Sequence, residues 1–356
     1  MKQELIKKLL YALKEYESLG IAEQIDYKKF YLYSLITHST AIEGSTVTEI
    51  ENQLLFDEGI TAKGRSLQEQ MMNLDLKAAY EHSMQLAHQH EEFSVEMLKS
   101  LSAIVMKNTG ATYNTAQGSF DASKGDLRLV GVTAGIGGRS YMNYQKVPAK
   151  LEELCNQLNK RRSELSNLDD IIAKYLFSFD THYQLVTIHP WVDGNGRMSR
   201  LVMNHLQYEF GLVPVKIVKE DKAEYIQALI DSQEQKSLEP FREFMMEEHI
   251  RNISKEIEEY KKSQEEDPIK ATSDPIKSFS DPIKERLYQA VLQDGTLNYS
   301  EYAAIVGTSE ATVKRRLGEL KKDGAIIRVG SNKTGHWEQS EVQPQKVPIR
   351  VRENCE

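Results

Sequence analysis

The stretch "IHPWVDGNGRMSR", residues 188–200, gathers a histidine, a carboxylate, a glycine–asparagine–glycine run and two arginines. Taken singly, each has an ordinary reading: a structural histidine before proline, a surface turn, a solvated arginine face. Together they fit one geometry, a site for a charged ligand. Pro190 stops the preceding helix near His189, because proline disfavours helical geometry in the residue before it. Trp191 is an apolar anchor among polar neighbours. Gly194, Asn195 and Gly196 give the chain freedom for a tight, amide-rich turn. "RMSRLVMNHLQYEF" then continues as an amphipathic helix, so the turn sits on a helix N-terminus, where anions bind. Arg197 and Arg200 lie at i and i+3 and oppose the helix dipole, a cost that a multiply charged anion would offset. Asp193 is a hard oxygen ligand where Mg²⁺ on a phosphate would sit. His189 can take a proton near neutral pH.

These residues resemble the signature of Fic-domain proteins, His-Pro-Phe-x-(Asp/Glu)-Gly-Asn-Gly-Arg-x-x-Arg, with Trp191 in place of the phenylalanine. The resemblance extends over roughly residues 30–250. It implies transfer of AMP from ATP to a Tyr, Ser or Thr hydroxyl of a target protein, or of the chain itself. It implies that His189 deprotonates that hydroxyl and that Asp193 holds Mg²⁺ on the α- and β-phosphates. Asn195 and the amides around Gly194 and Gly196 would cradle the phosphates, and Arg197 and Arg200 would neutralise the β- and γ-phosphates. The related Doc toxins carry lysine where this chain has Gly196, and transfer phosphate instead. Glycine leaves room for the β- and γ-phosphates and favours nucleotidyl transfer. Residues 128–144 resemble the family's flap, which holds the target by strand addition. Tyr225 falls where relatives line the adenine pocket, and also reads as a core residue.

A second stretch, "HSTAIEGS" at 38–45, places Ser39 and Glu43 at i, i+4 on one helix face, with Gly44 ending the helix. A new helix begins at Thr46 or Thr48, each with a glutamate three residues on. The segment resembles the Fic inhibitory motif, (Ser/Thr)-x-x-x-Glu-(Gly/Asn). The implied partner of Glu43 is Arg200, with the carboxylate where the γ-phosphate belongs. In some relatives this glutamate also supports removal of AMP from modified proteins. Fic relatives often dimerise, so a homodimer is among the expected assemblies.

The elements that must position these residues are mostly helical. Apolar residues recur at three and four positions through "IKKLLYALKEY", "QMMNLDLKAAYEHSMQLA" and "IIAKYLFSFDTHYQLVTI". Residues 110–148 break that period, and "LRLVGVT" and "SYMNYQKV" read as a hairpin around "AGIGG". Residues 262–284 repeat Asp-Pro-Ile-Lys at a spacing of seven and read as a semi-rigid linker. Residues 285–340 read as helix, helix-turn-helix and a two-stranded wing. The expected organisation is an N-terminal helical region with the inhibitory helix (1–70), the Fic core (71–261), the linker (262–284), the winged helix-turn-helix (285–340) and a tail (341–356). The fold class is therefore mainly α: a Fic-type helical bundle with a β-hairpin flap and a small C-terminal winged helix-turn-helix. That last unit raises a second function, DNA binding, with Ser309, Thr312, Lys314, Arg315 and Arg316 as contacts. The unit is only mildly basic, and such modules also dock partners.

Composition narrows the classes. The net charge of −8 over 356 residues argues against general nucleic-acid or membrane-surface binding. No apolar run spans a bilayer, and the charged start lacks the apolar core of a signal peptide. Cys155 and Cys355 lie far apart, which fits neither a disulfide framework nor zinc spacing and suits the cytoplasm. There is no Walker phosphate loop and no His-Glu-x-x-His zinc site. His82, His88 and His90 read as solvated.

Overall fold

A computed structural model describes residues 2–134, 138, 140–265, 281–330 and 335–340. The turn of the expected flap, most of the Asp-Pro-Ile-Lys stretch, the wing tip and the tail lie outside the described residues. The chain forms two compact units, Met1–Glu266 and Asp267–Glu356.

The first unit is a helical bundle. In order it holds α1 (Gln3–Ser18), α2 (Tyr27–Ile42), α3 (Glu49–Glu58), α4 (Leu67–His88), α5 (Val95–Val105), a hairpin of β1 (Thr112–Thr115) and β2 (Gly118–Asp121), α6 (Val147–Ser166), α7 (Ile171–Ile188), α8 (Asn195–Glu209), α9 (Lys222–Gln235) and α10 (Glu239–Glu265). The helix ends follow local chemistry. Thr48 opens α3 and Ser66 opens α4 with capping boxes to Glu51 and Glu69, each satisfying amides that a helix start leaves free. Gly59 closes α3 in the left-handed region.

Helix α8 is the spine. It packs chiefly on α7 and α4. Met198, Leu201 and Val202 join one apolar core with Leu76, Leu98, Leu151 and Leu185, while Met203 joins a second with Leu9, Tyr175, Phe179, Phe241 and Met245. The helix is thus buried on every face from Arg197 to Gln207, not amphipathic as the sequence suggested. Asn204 and Gln207 are tolerated there because their side chains are hydrogen-bonded. Asn204 accepts from the Tyr80 hydroxyl at 2.7 Å and donates to the Val215 carbonyl at 3.0 Å. Gln207 accepts from the Val215 amide and donates to the Ser178 hydroxyl, at 2.8 and 2.9 Å.

The regular hairpin is the one formed by β1 and β2, with Thr112 opposite Asp121. Residues 128–144 pair more sparsely: Thr133 bridges Ser140, and the Tyr141 amide donates to the Val132 carbonyl at 3.0 Å. Glycines that relieve steric conflict in the turns also weaken extended pairing.

The second unit holds α11 (Pro282–Gln293), α12 (Tyr299–Val306), α13 (Glu310–Lys322) and an antiparallel pair, β3 (Ile326–Val329) and β4 (His336–Gln339). Leu287, Val291, Tyr302, Val313, Leu317, Ile326 and Trp337 form its core. The third Asp-Pro-Ile-Lys starts α11 instead of ending a linker. Asp281 accepts from the amides of Ile283 and Lys284, and Pro282 takes the first helical position, where its missing N–H costs nothing.

Candidate active site

Helix α7 ends at Ile188, and His189 follows in the left-handed conformation with φ 52°, a disfavoured region for a residue with a side chain. Its Nδ1 lies 3.3 Å from the Val186 carbonyl oxygen, which fixes the proton on Nδ1 and leaves Nε2 as an acceptor. The Tyr141 ring lies flat on the imidazole, with centroids 3.6 Å apart and planes 15° from parallel. Burial lowers the His189 pKa to about 4 and the nearby Arg128 charge lowers it too, against the Val186 hydrogen bond and the Glu43 and Asp193 charges. Burial thus favours the neutral form of His189 at pH 7, the form that can accept a proton.

The turn from Pro190 to Gly194 is held by its own side chains. Trp191 is 1% exposed and donates from Nε1 to the Gly125 carbonyl at 3.1 Å, so the larger indole is both buried and hydrogen-bonded. Asn195 Oδ1 accepts from the Trp191 amide at 3.1 Å and Nδ2 donates to the Trp191 carbonyl at 2.9 Å. Both halves of the Asn195 amide therefore close the loop, and the backbone amides of Asn195, Gly196 and Arg197 remain as the donors at the start of α8, where no intrahelical acceptor exists. Gly194 has φ 79°, and a Cβ there would meet Met106 Sδ at 2.7 Å. Asp193 projects to solvent, accepting from the Gly194 amide at 2.6 Å, with Oδ2 3.7 Å from Arg197 Nη2.

The seat over the α8 N-terminus holds a carboxylate of the chain itself. A Cβ on Gly196 would meet Glu43 Oε1 at 2.4 Å and Arg200 Nη1 at 3.1 Å. Glu43 caps the C-terminus of α2, and its Oε1 accepts from Arg200 Nη2 at 2.5 Å. Arg200 also donates from Nε to the Ser39 hydroxyl at 2.8 Å and from Nη2 to the Ser39 carbonyl at 2.9 Å. Loss of solvent around the carboxylate raises the Glu43 pKa, yet the Arg200 charge and hydrogen bond outweigh it and hold the carboxyl below its ordinary value. Among the described residues, Arg200 Nη1 and Arg197 Nε are buried without a hydrogen-bond partner. Arg197 Nη2 lies against Met106 Sδ at 3.2 Å.

Tyr225 is buried among His182, Phe241 and Phe244, its hydroxyl 3.2 Å from His182 Nε2. It stands close enough to Arg200 to feel its charge; burial raises its pKa to about 12 and Arg200 opposes that rise. Among the described residues no group of three His, Cys, Asp or Glu side chains could hold a metal alone; His88 and His90 are exposed and His82 is half-buried.

In the second unit, the Ser309 hydroxyl accepts from the Thr312 amide at 3.3 Å and sits 3.0 Å from the Thr312 hydroxyl, forming the α13 cap. Lys314 and Arg315 are exposed. Arg316 pairs with Asp281 at 2.6 Å and Glu319 at 2.9 Å.

Two residues that sequence reading missed stand against His189: Arg128, whose Nε donates to its carbonyl at 2.7 Å, and Tyr141. In the sequence Arg128 was one residue of a strand-like run. Its burial was the missing signal, and only the fold supplies it.

Comparison with known proteins gives this geometry its context. Residues 92–207 match the family model described as Fic/DOC family, and residues 280–327 the one described as Winged helix-turn-helix DNA-binding. Protein adenylyltransferase fic-1 of Caenorhabditis elegans is 26% identical over 202 residues, 56% of this chain and 36% of that protein. The chain spans well under half the length of the curated relatives it matches. A Fic domain containing signaling protein of Bacteroides thetaiotaomicron superposes with a TM-score of 0.58 at 20% identity, covering 72% of this chain and 98% of that one. A Fic family protein of Desulfovibrio desulfuricans superposes with a TM-score of 0.57 at 18% identity over 97% and 98% of the two chains. At these identities the structures establish the shared fold.

Proposed function

We propose that this chain, which carries a Fic domain followed by a winged helix-turn-helix, transfers AMP from ATP to a hydroxyl side chain of a protein. The observation that carries the reading is the pair of buried guanidinium N–H groups on Arg197 and Arg200 at the start of α8 that lack a partner among the described residues, beside a neutral imidazole. Buried donors left unpaired cost free energy, and a polyphosphate would satisfy them. In the transfer, the target oxygen attacks the α-phosphorus and its proton passes to His189 Nε2. The bond from the α-phosphorus to the bridging oxygen breaks, and pyrophosphate leaves. The α8 amides and both arginines stabilise the charge that develops on the phosphates.

Asp193 fits a magnesium ligand: an exposed carboxylate beside the phosphate seat, with no second acidic group required. Mg²⁺ of this kind is held by one or two carboxylates and the substrate phosphates, and when bound it withdraws negative charge from them. Asn195 shapes the loop that presents the amides. Tyr225 backs the cleft from the core.

Glu43 serves as the brake in this reading. Its carboxylate lies over Gly196 on Arg200, in the place a terminal phosphate would take. The buried free thiol of Cys155, whose pKa burial pushes up to about 11, suits a reducing cytoplasm. A second reading, DNA binding by the winged helix, rests on exposed Lys314 and Arg315 on α13; a duplex-DNA shift that weakens with salt would support it.

The test is His189→Ala. Transfer of AMP to protein should fall by about 10²–10⁴-fold, the range for loss of a general base. Transfer at the parental rate would remove His189 from the mechanism.

A further inference from the structure

Arg128 is a cation with no carboxylate partner among the described residues, and it is 1% exposed. Such a charge is costly to bury unless its N–H groups are satisfied. Among the described residues, the hydrogen-bond partners of its side chain are all main-chain oxygens. Nε donates to the His189 carbonyl at 2.7 Å, Nη1 to the Val130 carbonyl at 2.7 Å, and Nη2 to the Met142 carbonyl. Its own amide donates to the Pro190 carbonyl at 3.1 Å. Val130 leads into the flap region and Met142 leads out of it. One planar fork therefore binds both arms of that region to the backbone of the candidate base.

Tyr141, next to Met142, adds a contact from the same arm. Its amide donates to the Val132 carbonyl at 3.0 Å, and its ring covers one face of the His189 imidazole. The Val186 carbonyl holds Nδ1. The imidazole is thus held at one edge and on one face, which leaves Nε2 as the free edge. The left-handed backbone of His189 is disfavoured by itself, and the Arg128 hydrogen bonds to residues 189 and 190 hold it.

We infer that Arg128 and Tyr141 are positioning residues that lock His189 to the flap, so that a protein segment paired with the flap brings its hydroxyl into register with Nε2. This rests on His189 acting as the base for AMP transfer. A guanidinium suits the task because its donors lie in one rigid plane; a lysine ammonium keeps the charge but cannot span three carbonyls in that geometry. A misplacement of about 1 Å at such a site costs on the order of 10²-fold in rate.

The test uses the full chain in a Glu43→Gly background, following AMP transfer to protein. Arg128→Lys is expected to lower kcat by about 10–100-fold while calorimetric ATP affinity stays at the parental value. Tyr141→Phe should keep the rate and Tyr141→Ala lose about tenfold. Among the described residues, the charged groups facing His189 are Arg128, Glu43 and Asp193, and Glu43 is absent in the background. The parental pH profile should therefore be flat from about pH 6 to about pH 8. In Tyr141→Ala, water reaches the ring face, and the acid limb should move up into that range. Tyr141→Ala with the parental rate and a flat profile, or Arg128→Lys with the parental kcat, overturns the inference. If Arg128→Lys does not fold by circular dichroism, the half-buried Tyr141 pair decides it alone. His189→Ala in the same background separates the two levels: if it keeps full transfer, the base assignment itself is wrong.

Discussion

Glu43 and Arg200 are unequally placed, and that asymmetry governs what each residue can do. The Arg200 side chain is 4% exposed and the Glu43 side chain 33%. Arg200 keeps its Ser39 hydrogen bonds if Glu43 leaves, while Glu43 faces solvent and can swing away. Removing the carboxylate leaves a buried cation less well compensated, at a cost of about 1 kcal/mol once solvent screening of Glu43 is discounted. Glu43→Gly should therefore lower the melting temperature without nucleotide, yet gain more stabilisation from Mg²⁺–ATP than the parent does. Thermal unfolding with and without nucleotide checks this, and equal ATP-dependent shifts would count against the brake. Gly196→Ala separates room from charge. Its Cβ would displace the Glu43 carboxylate but also intrude on the phosphate seat. Transfer assays should show none of the gain expected of Glu43→Gly.

At the scale of elements, the proposed brake would depend on how firmly the end of α2 is held. A buried polar cluster joins α2 to α3 and α4. Asn73 accepts from the Thr40 hydroxyl at 2.7 Å and from Asn52 at 2.8 Å, and donates to Ser45 at 3.1 Å and to the Glu69 carbonyl at 2.8 Å. Asn73→Ala should cost roughly 1–3 kcal/mol through the groups left unpaired and raise basal AMP transfer by loosening Ser39 and Glu43. Urea unfolding and a transfer assay read the two effects; destabilisation with unchanged basal transfer would show that α2 is held some other way. The α2–α4 helices were legible in the sequence because their apolar spacing and capping residues are local signals. The full burial of α8 was not legible. Asn204 and Gln207 look like a solvent face until Tyr80, Val215 and Ser178 arrive from distant segments. The β1–β2 hairpin went unread because its four-residue strands carry little alternation, whereas the glycine-rich 128–144 stretch looked more strand-like than its sparse pairing. The residue types around the α8 N-terminus could be read from the motif. The use of Asn195 in the loop, the depressed His189 pKa and the Arg128 contacts depend on burial, which spacing does not encode.

At the scale of the molecule, buried histidines set its response to acid. Burial lowers His182, His205 and His249 to about 3, against an unfolded value near 6.5. Between those values the unfolded chain binds the extra protons. Stability is therefore complete above about pH 6.5 and is lost as pH falls toward 3, with each histidine contributing up to about 1.4 kcal/mol per pH unit. The Glu43 carboxylate responds in a lower window, because its pKa lies below 4.5. Urea midpoints should fall by an amount worth several kcal/mol in total between about pH 7.5 and about pH 5. A constant midpoint over that interval would mean these histidines take up protons equally in the folded and unfolded chain. Among the described residues no helix is long and apolar enough to cross a membrane.

If the α8 N-terminus handles ATP for AMP transfer and Glu43 restrains it, protein must take up label from the α-phosphate. The most direct measurement incubates the parent chain and Glu43→Gly with Mg²⁺ and ATP labelled at either the α- or the γ-phosphate, and follows label on protein. The expected result is incorporation from the α-label alone, stronger in Glu43→Gly than in the parent. Incorporation from the γ-label, or none from either in Glu43→Gly with lysate proteins present, would contradict it.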